Sequence, residues 1–270
     1  MNSFELSILT PAFIAGILVL ATHVPLGQEV LRRGIIFIDL AIAQVAGLGV
    51  IAADAMGSEP YGWTVQAVAV SSALVVAAVL NWSGKRWPDI QEAIIGVSFV
   101  LAAAAGMLIL AENPHGGEHL KELLVGQILW VTADQLWPVA LVYAGCIGVW
   151  YGLRERMQGV GFYVVFAIVI TASVQLVGVY LVFASLIVPA LATRRLGQQW
   201  VRVTLGYAVG VGAYLLGLVS SIVWDLPPGP VIVWALVVLA VVVGWTVVPG
   251  LKNLDERNRA PSNSDLADWD

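Results

Sequence analysis

VGFYVVFAIVITASVQLVGVYLVFASLIVPALATRRL, residues 160–196, carries no charged side chain before Arg194. Arg154 and Arg156 precede it, and Arg194 and Arg195 close it. About 20 apolar residues cross a hydrocarbon core of about 30 Å. The apolar part, 160–192, is too long for one pass and short for two full passes at about 1.5 Å per residue. Loops rich in Lys and Arg stay on the cytoplasmic side, so both of its ends belong there. The segment must enter and return. Its pattern predicts one helix to about Val177, a break near Gly178 and a short returning helix through Ser185 and Pro189. Broken backbone at membrane depth survives only where protein or a water-lined cavity covers it. This segment is therefore expected to lie against other helices.

The rest of the chain agrees. It has 270 residues, 59% hydrophobic and 11% charged, where a soluble domain runs near a quarter charged. Further apolar segments fall at about 8–26, 35–54, 61–82, 92–111, 135–153, 203–224 and 229–249. With 160–192 they make about eight, an all-α polytopic membrane bundle with one broken or re-entrant segment. Arg32, Arg33, Lys85, Arg86, Arg154, Arg156, Arg194, Arg195, Arg202, Lys252, Arg257 and Arg259 all fall on one side under this reading, leaving Lys121 alone on the other. The N-terminus is then expected outside and the C-terminus in the cytoplasm. No basic region precedes the first apolar run, and Pro25 with Gly27 ends it without a small-residue cleavage site, so it reads as a span and not a signal peptide. Cys146 is the only cysteine, which excludes an intrachain disulfide. A net charge of −5 argues against a nucleic-acid partner.

Residues 1–252 read as one transmembrane domain. Residues 253–270, polar and acidic with Pro261, Ser262 and Ser264, read as a disordered cytoplasmic tail. The stretch LLVGQILWVTADQLW, 123–137, reads as a short interfacial helix anchored by Trp130 and Trp137. Frequent Gly and Ala in the spans suit close helix packing.

Four stretches, in order, resemble the permease subunit of metal-cation ABC transporters, the zinc, manganese and iron family. GQEVLRRGIIFIDLAIAQVAGLG (27–49) is similar to the family's arginine pair leading into an Asp-Ala-Leu-Ser-His-Ala-like helix. QEAIIGVSFVLAAAAGMLIL (91–110) resembles its acidic, Ala, Ile, Gly helix start. LLVGQILWVTADQL (123–136) resembles its Gly-x-Ile-Leu segment. VQLVGVYLVFASLIVPALATRRL (174–196) with LPPGPVIV (226–233) resembles its Gln-x-x-Gly…Pro-Ala segment and its Pro-x-Gly-Pro start of the last helix. The likeness spans residues 26–249. The chain departs from the pattern twice. Asp39 comes one position early and Gln44 stands where the family has histidine. The loop RERMQGVG is also shorter than the family's.

The resemblance implies a homodimer in the lipid of a bacterial inner membrane, a separate ATPase and an extracytoplasmic metal-binding protein. The chain itself has no G-x-x-x-x-G-K-[ST] phosphate loop. Coupling to the ATPase is expected after Pro189, where ALATRRLGQQW with Arg194 and Arg195 has the shape of a short amphipathic helix. Positive-inside anchoring explains the same arginines. Ionisable residues within a span are functional candidates by default. Asp39, about 6 Å along its helix from Gly34, and Gln44, about 7 Å deeper, are candidates for the path, as is Gln175. Asp39 pairing with Arg32 or Arg33, and helix-to-helix hydrogen bonding by the glutamines, explain them equally. In the loop 112–122, His115, Glu118 and His119 form a candidate extracytoplasmic capture site, since two imidazoles and a carboxylate leave zinc an open position. A solvated loop with no ligand is the alternative. His23 reads as a packing or interfacial histidine. No cofactor is expected to stay bound. The cargo is read as a divalent metal, with zinc favoured because imidazole suits zinc and carboxylates suit manganese. An iron-chelate or cobalamin-type permease and an intramembrane enzyme are the alternatives.

Overall fold

The computed structural model describes residues 3–58, 62–110, 124–152 and 159–259. Among these are nine α-helices: α1 Ser3–Arg33, α2 Ile38–Ala55, α3 Trp63–Arg86, α4 Gln91–Leu110, α5 Ala133–Gly152, α6 Val160–Val177, α7 Val179–Thr193, α8 Gln199–Trp224 and α9 Pro228–Arg259. Seven of them (α1–α4, α6, α8 and α9) are long and apolar enough to cross a membrane, and α7 is a shorter apolar helix. This is a polytopic helical bundle.

The break in 160–192 falls at Gly178, between α6 and α7. Both helices are buried along much of their length. The structure thus places this segment inside the bundle, where its freed backbone groups are covered. α2 packs on α3, α4 and α6, while α1, α8 and α9 pack on α7. α5 lies outermost, touching α1 and α6, with Leu136 and Tyr143 its buried residues.

Small residues set the register. Gly16 faces Tyr214, Leu20 faces Gly210 and Val24 faces Gly206, so α1 and α8 run antiparallel. Gly49 lies against Ala69 and Ser72, which pairs α2 with α3 in the same sense. Most exposed tryptophans lie toward the two ends of the bundle, with Trp63, Trp130, Trp137 and Trp224 at one and Trp82, Trp87 and Trp200 at the other, while Trp234 is exposed on the groove. At 1.5 Å per residue, Trp200 and Trp224 are separated by about 36 Å along α8, a spacing that suits two interfacial belts.

Several local expectations are corrected. α1 does not end at Pro25 and Gly27 but runs on to Arg33 with Pro25 inside it. A proline removes the hydrogen bond to the carbonyl four residues back, here that of Ala21. The Tyr207 hydroxyl of α8 donates to that carbonyl at 3.0 Å. Tyr207→Phe should therefore lower the melting temperature of the purified protein by the equivalent of about 1 kcal/mol, a typical interhelical bond in a membrane protein, with no change in helix content by circular dichroism.

The stretch 123–137 is not one interfacial helix. Gly126 has φ 73, a single 3-10 turn follows at Ile128–Trp130, and α5 starts at Ala133. Nor is ALATRRLGQQW a separate helix. α7 ends at Thr193, a turn carries Arg194 and Arg195, and α8 begins at Gln199, because Leu196 is tucked into the bundle and pins the turn. α9 continues to Arg259, into the stretch read as a tail, and residues 260–270 lie outside the described residues.

Candidate functional site

The arginine end of α1 fixes where α2 begins. Arg32 and Arg33 both bond Glu29, with Arg33 Nε 2.6 Å from its Oε1. The Arg33 guanidinium lies 4.2 Å from the centre of the Phe162 ring, a cation–π contact. Gly34 turns the chain with φ 70. The Ile36 N–H donates to Glu92 Oε1 at 2.8 Å, and the Phe37 ring stacks on Phe183 at 6.2 Å. Four elements thus hold one turn, and α2 starts from it at Ile38.

That start decides which residues of α2 meet the main groove. The groove has a volume of about 740 Å³ and lies between α2, α4, α7 and α9. Leu40 and Gln44, four apart and so on one helical face, form its α2 wall. Phe99, Ala103 and Met107 come from α4, Tyr180 and Phe183 from α7, and Trp234 and Val237 from α9. Leu124, at the start of the strap before α5, closes one end.

Asp39 is not among the groove residues. It is fully buried in the first turn of α2, and no side chain among the described residues pairs with its carboxyl. One residue is about 100° of helix, so the step from 40 back to 39 carries the side chain from the groove wall to the packed interior. α2 begins only at Ile38, so Asp39 sits at the helix end and not a turn inside it.

Gln175 is also placed away from the groove. Its amide pairs reciprocally with that of Gln66 on α3, at 2.6 and 3.0 Å, a bond between helices at the end opposite the arginines. Pro189 is buried in α7. Below it Thr193 accepts from Gln28 Nε2 at 2.9 Å and donates to the Pro189 carbonyl at 3.0 Å. Arg194 and Arg195 follow, exposed. His115, Glu118 and His119 lie outside the described residues. Among the described residues no group of three His, Cys, Asp or Glu comes together as a metal site.

His23 is fully buried well inside α1, with Nδ1 2.9 Å from the Val19 carbonyl. Two hydroxyl pairs cross the same interior, Tyr143 with Ser173 at 2.5 Å and Ser185 with Tyr214 at 2.9 Å. They tie α5 to α6 and α7 to α8. Sequence reasoning missed these pairs, the Gln66 partner and the aromatic wall of Phe99, Tyr180, Phe183 and Trp234. Helical spacing marked none of them, since apolar residues occupy every face of these spans.

A family model described as the ABC 3 transport family matches residues 5–153 and 148–247. A probable metal transport system membrane protein of Thermotoga maritima is 26% identical over 250 residues, covering 85% of this chain and 86% of the relative. One with the same description from Chlamydia muridarum is 23% identical over 184 residues, covering 61% of this chain and 63% of that one. Among solved structures, PsaBC from Streptococcus pneumoniae in complex with Fab has the same fold. It aligns with a TM-score of 0.72 at 21% identity, over 93% of this chain and 95% of that one. The matched stretches reach every helix described above, and the chain belongs to the ABC 3 transport family of metal ABC-transporter permeases.

Proposed function

We propose that this chain is the membrane-spanning permease of an importer that moves a divalent metal, zinc first, across the bacterial inner membrane. The observation that carries the reading is the groove. It opens beside the helix where the family resemblance puts a path-facing histidine, and Gln44, at that position, forms part of its wall. α4 and α9 flank the groove with exposed apolar side chains such as Leu108, Trp234 and Val241. A second copy related by a twofold axis would cover both flanks and enclose the path. The exposed turn at Arg194 and Arg195 is the seat for a separate ATPase, and the arginine end is cytoplasmic by the positive-inside rule. The opposite end receives metal from a binding protein, with His115, Glu118 and His119 as the capture loop.

The test is ATP-dependent uptake of zinc and of manganese into proteoliposomes holding the assembled transporter. Zinc should enter faster than manganese. The His115→Ala/His119→Ala pair should raise the zinc concentration for half-maximal uptake by about tenfold, as expected when ligands of an exchangeable site are lost. Uptake of neither metal, in vesicles where the ATPase turns over, would remove the reading.

A further inference from the structure

One face of α3 is left uncovered by the described residues. Val75, Val79 and Trp82 are exposed along it at helical spacing, and Lys85 and Arg86 end it. The second copy proposed above covers α4 and α9, which leaves this face of α3 to lipid. Val75 lies about 16 Å from Arg86 along the helix axis, close to one leaflet of a hydrocarbon core about 30 Å thick. The apolar stripe therefore runs beside an acyl chain and brings its charges to headgroup level.

The end of the stripe is a fixed corner. The Trp87 N–H donates to the Ser83 carbonyl at 2.7 Å, and the buried Gln91 amide donates to the Leu80 carbonyl at 2.9 Å. These bonds tie the turn after α3 back onto its last residues. Upon it the Trp87 and Trp82 rings, both exposed, meet edge to face at 5.1 Å. The Arg86 guanidinium lies 5.9 Å from the centre of the Trp87 ring, at the outer reach of a cation–π contact. Among the described residues no carboxylate forms an ion pair with it. Lys85 is turned toward Gly159, its ammonium 3.9 Å from a Cβ added there, so Arg86 is the cation that meets the stripe. Asp89, exposed on the short turn Pro88–Ile90 that follows, opposes an anion here. A preference for positive charge at this end accounts for an arginine. It does not account for two crossed indoles fixed beside a guanidinium that lacks a carboxylate.

We propose that this corner holds one anionic phospholipid, with its phosphate on Arg86 and the two indoles and an acyl chain along Val79 and Val75. The guanidinium offers paired N–H donors that match phosphate, and each indole N–H adds a neutral one. Phosphatidylcholine carries a cation of its own beside the phosphate, which meets Arg86 with like charge. Phosphatidylglycerol does not.

The test is native mass spectrometry of the full-length chain released from nanodiscs of equal phosphatidylglycerol and phosphatidylcholine. The expected result is one phosphatidylglycerol retained per chain, about tenfold over phosphatidylcholine. Arg86→Gln should abolish the preference, Arg86→Lys should keep most of it, and Asp89→Asn should raise it. Arg32→Gln removes an exposed charge from the same end of the bundle and should leave it unchanged. Equal retention of the two lipids by the wild type would overturn the inference, as would a preference that survives Arg86→Gln. A preference that falls as far in Arg32→Gln as in Arg86→Gln would also overturn it and assign the selectivity to the summed charge of the arginine end.

Discussion

Gly178→Ala is expected to lower the stability of the bundle by about 3–5 kcal/mol, combining backbone strain with overpacking. Gly178 sits at φ 80 and ψ 163, a region that is open to glycine and closed to residues with a Cβ. Its surroundings are as tight as its backbone. A Cβ there would lie 2.4 Å from the Gly126 nitrogen and 2.7 Å from both the Gly126 Cα and the Val125 carbonyl carbon. Those neighbours are main chain and cannot swing aside. Gly126, itself at φ 73, is pressed in return against the Val177 carbonyl, and Gly229 against that of Val125. Three backbones therefore meet where α6 turns into α7, where the strap before α5 passes and where α9 starts. The check is thermal unfolding in nanodiscs, with a drop of about 10 °C for a chain of this size. Gly145→Ala is the control, since nothing lies within 4 Å of its added Cβ and alanine is the better helix former. An unchanged melting point for Gly178→Ala would mean that the three backbones do not meet.

The break at Gly178 was legible because two independent constraints agreed on it. The run 160–192 had the wrong length for one or two passes, and arginines marked both its ends. What was illegible depended on partners distant in sequence. Pro25 and Gly27 read as a helix end, yet the carbonyl that Pro25 leaves free is satisfied by Tyr207, 186 residues away. The stretch 123–137 read as one amphipathic helix because nothing local shows that Gly126 is wedged under Val177. The placement of the candidate residues was legible only in part. The spacing placed Gln44 about 7 Å deeper than Asp39 along α2, but facing is set by where the helix starts. That start depends on Glu92 holding the Ile36 N–H. A shift of one residue exchanges a carboxyl for Leu40 at the groove, a difference that charge and hydropathy patterns do not register. Gln175 is half-buried, and its partner Gln66 was hidden on another helix.

Gly27→Ala should separate assembly with the ATPase from folding of the permease. A Cβ at position 27 would lie 1.9 Å from the Leu186 carbonyl oxygen and 2.9 Å from its carbon, so α1 and α7 must move apart by more than an ångström. Packed interiors resist such a shift, at about 1–3 kcal/mol and more when backbone is displaced. The clash falls at the middle of α7. One residue beyond Gly27, the Gln28 amide holds Thr193, and Thr193 closes on the Pro189 carbonyl. These bonds aim the turn that carries Arg194 and Arg195 out of the bundle. Displacing α1 from α7 should therefore disturb the proposed ATPase seat before the Gly178 junction: each is about 12 Å along α7 from Leu186, and the seat side is the one tied to α1 beside Gly27. The expected outcome is a permease that still folds, with a melting point lowered by several degrees, and binds the ATPase at least about tenfold more weakly, a loss of about 1.4 kcal/mol. Gln28→Ala removes one of these bonds without adding a Cβ clash and should lose about 1 kcal/mol of stability, with a smaller fall in ATPase binding. Equal ATPase binding by wild type and Gly27→Ala, measured on folded protein, would mean that the α7 turn is not the seat. Arg194 and Arg195 would then be anchors of the positive-inside kind.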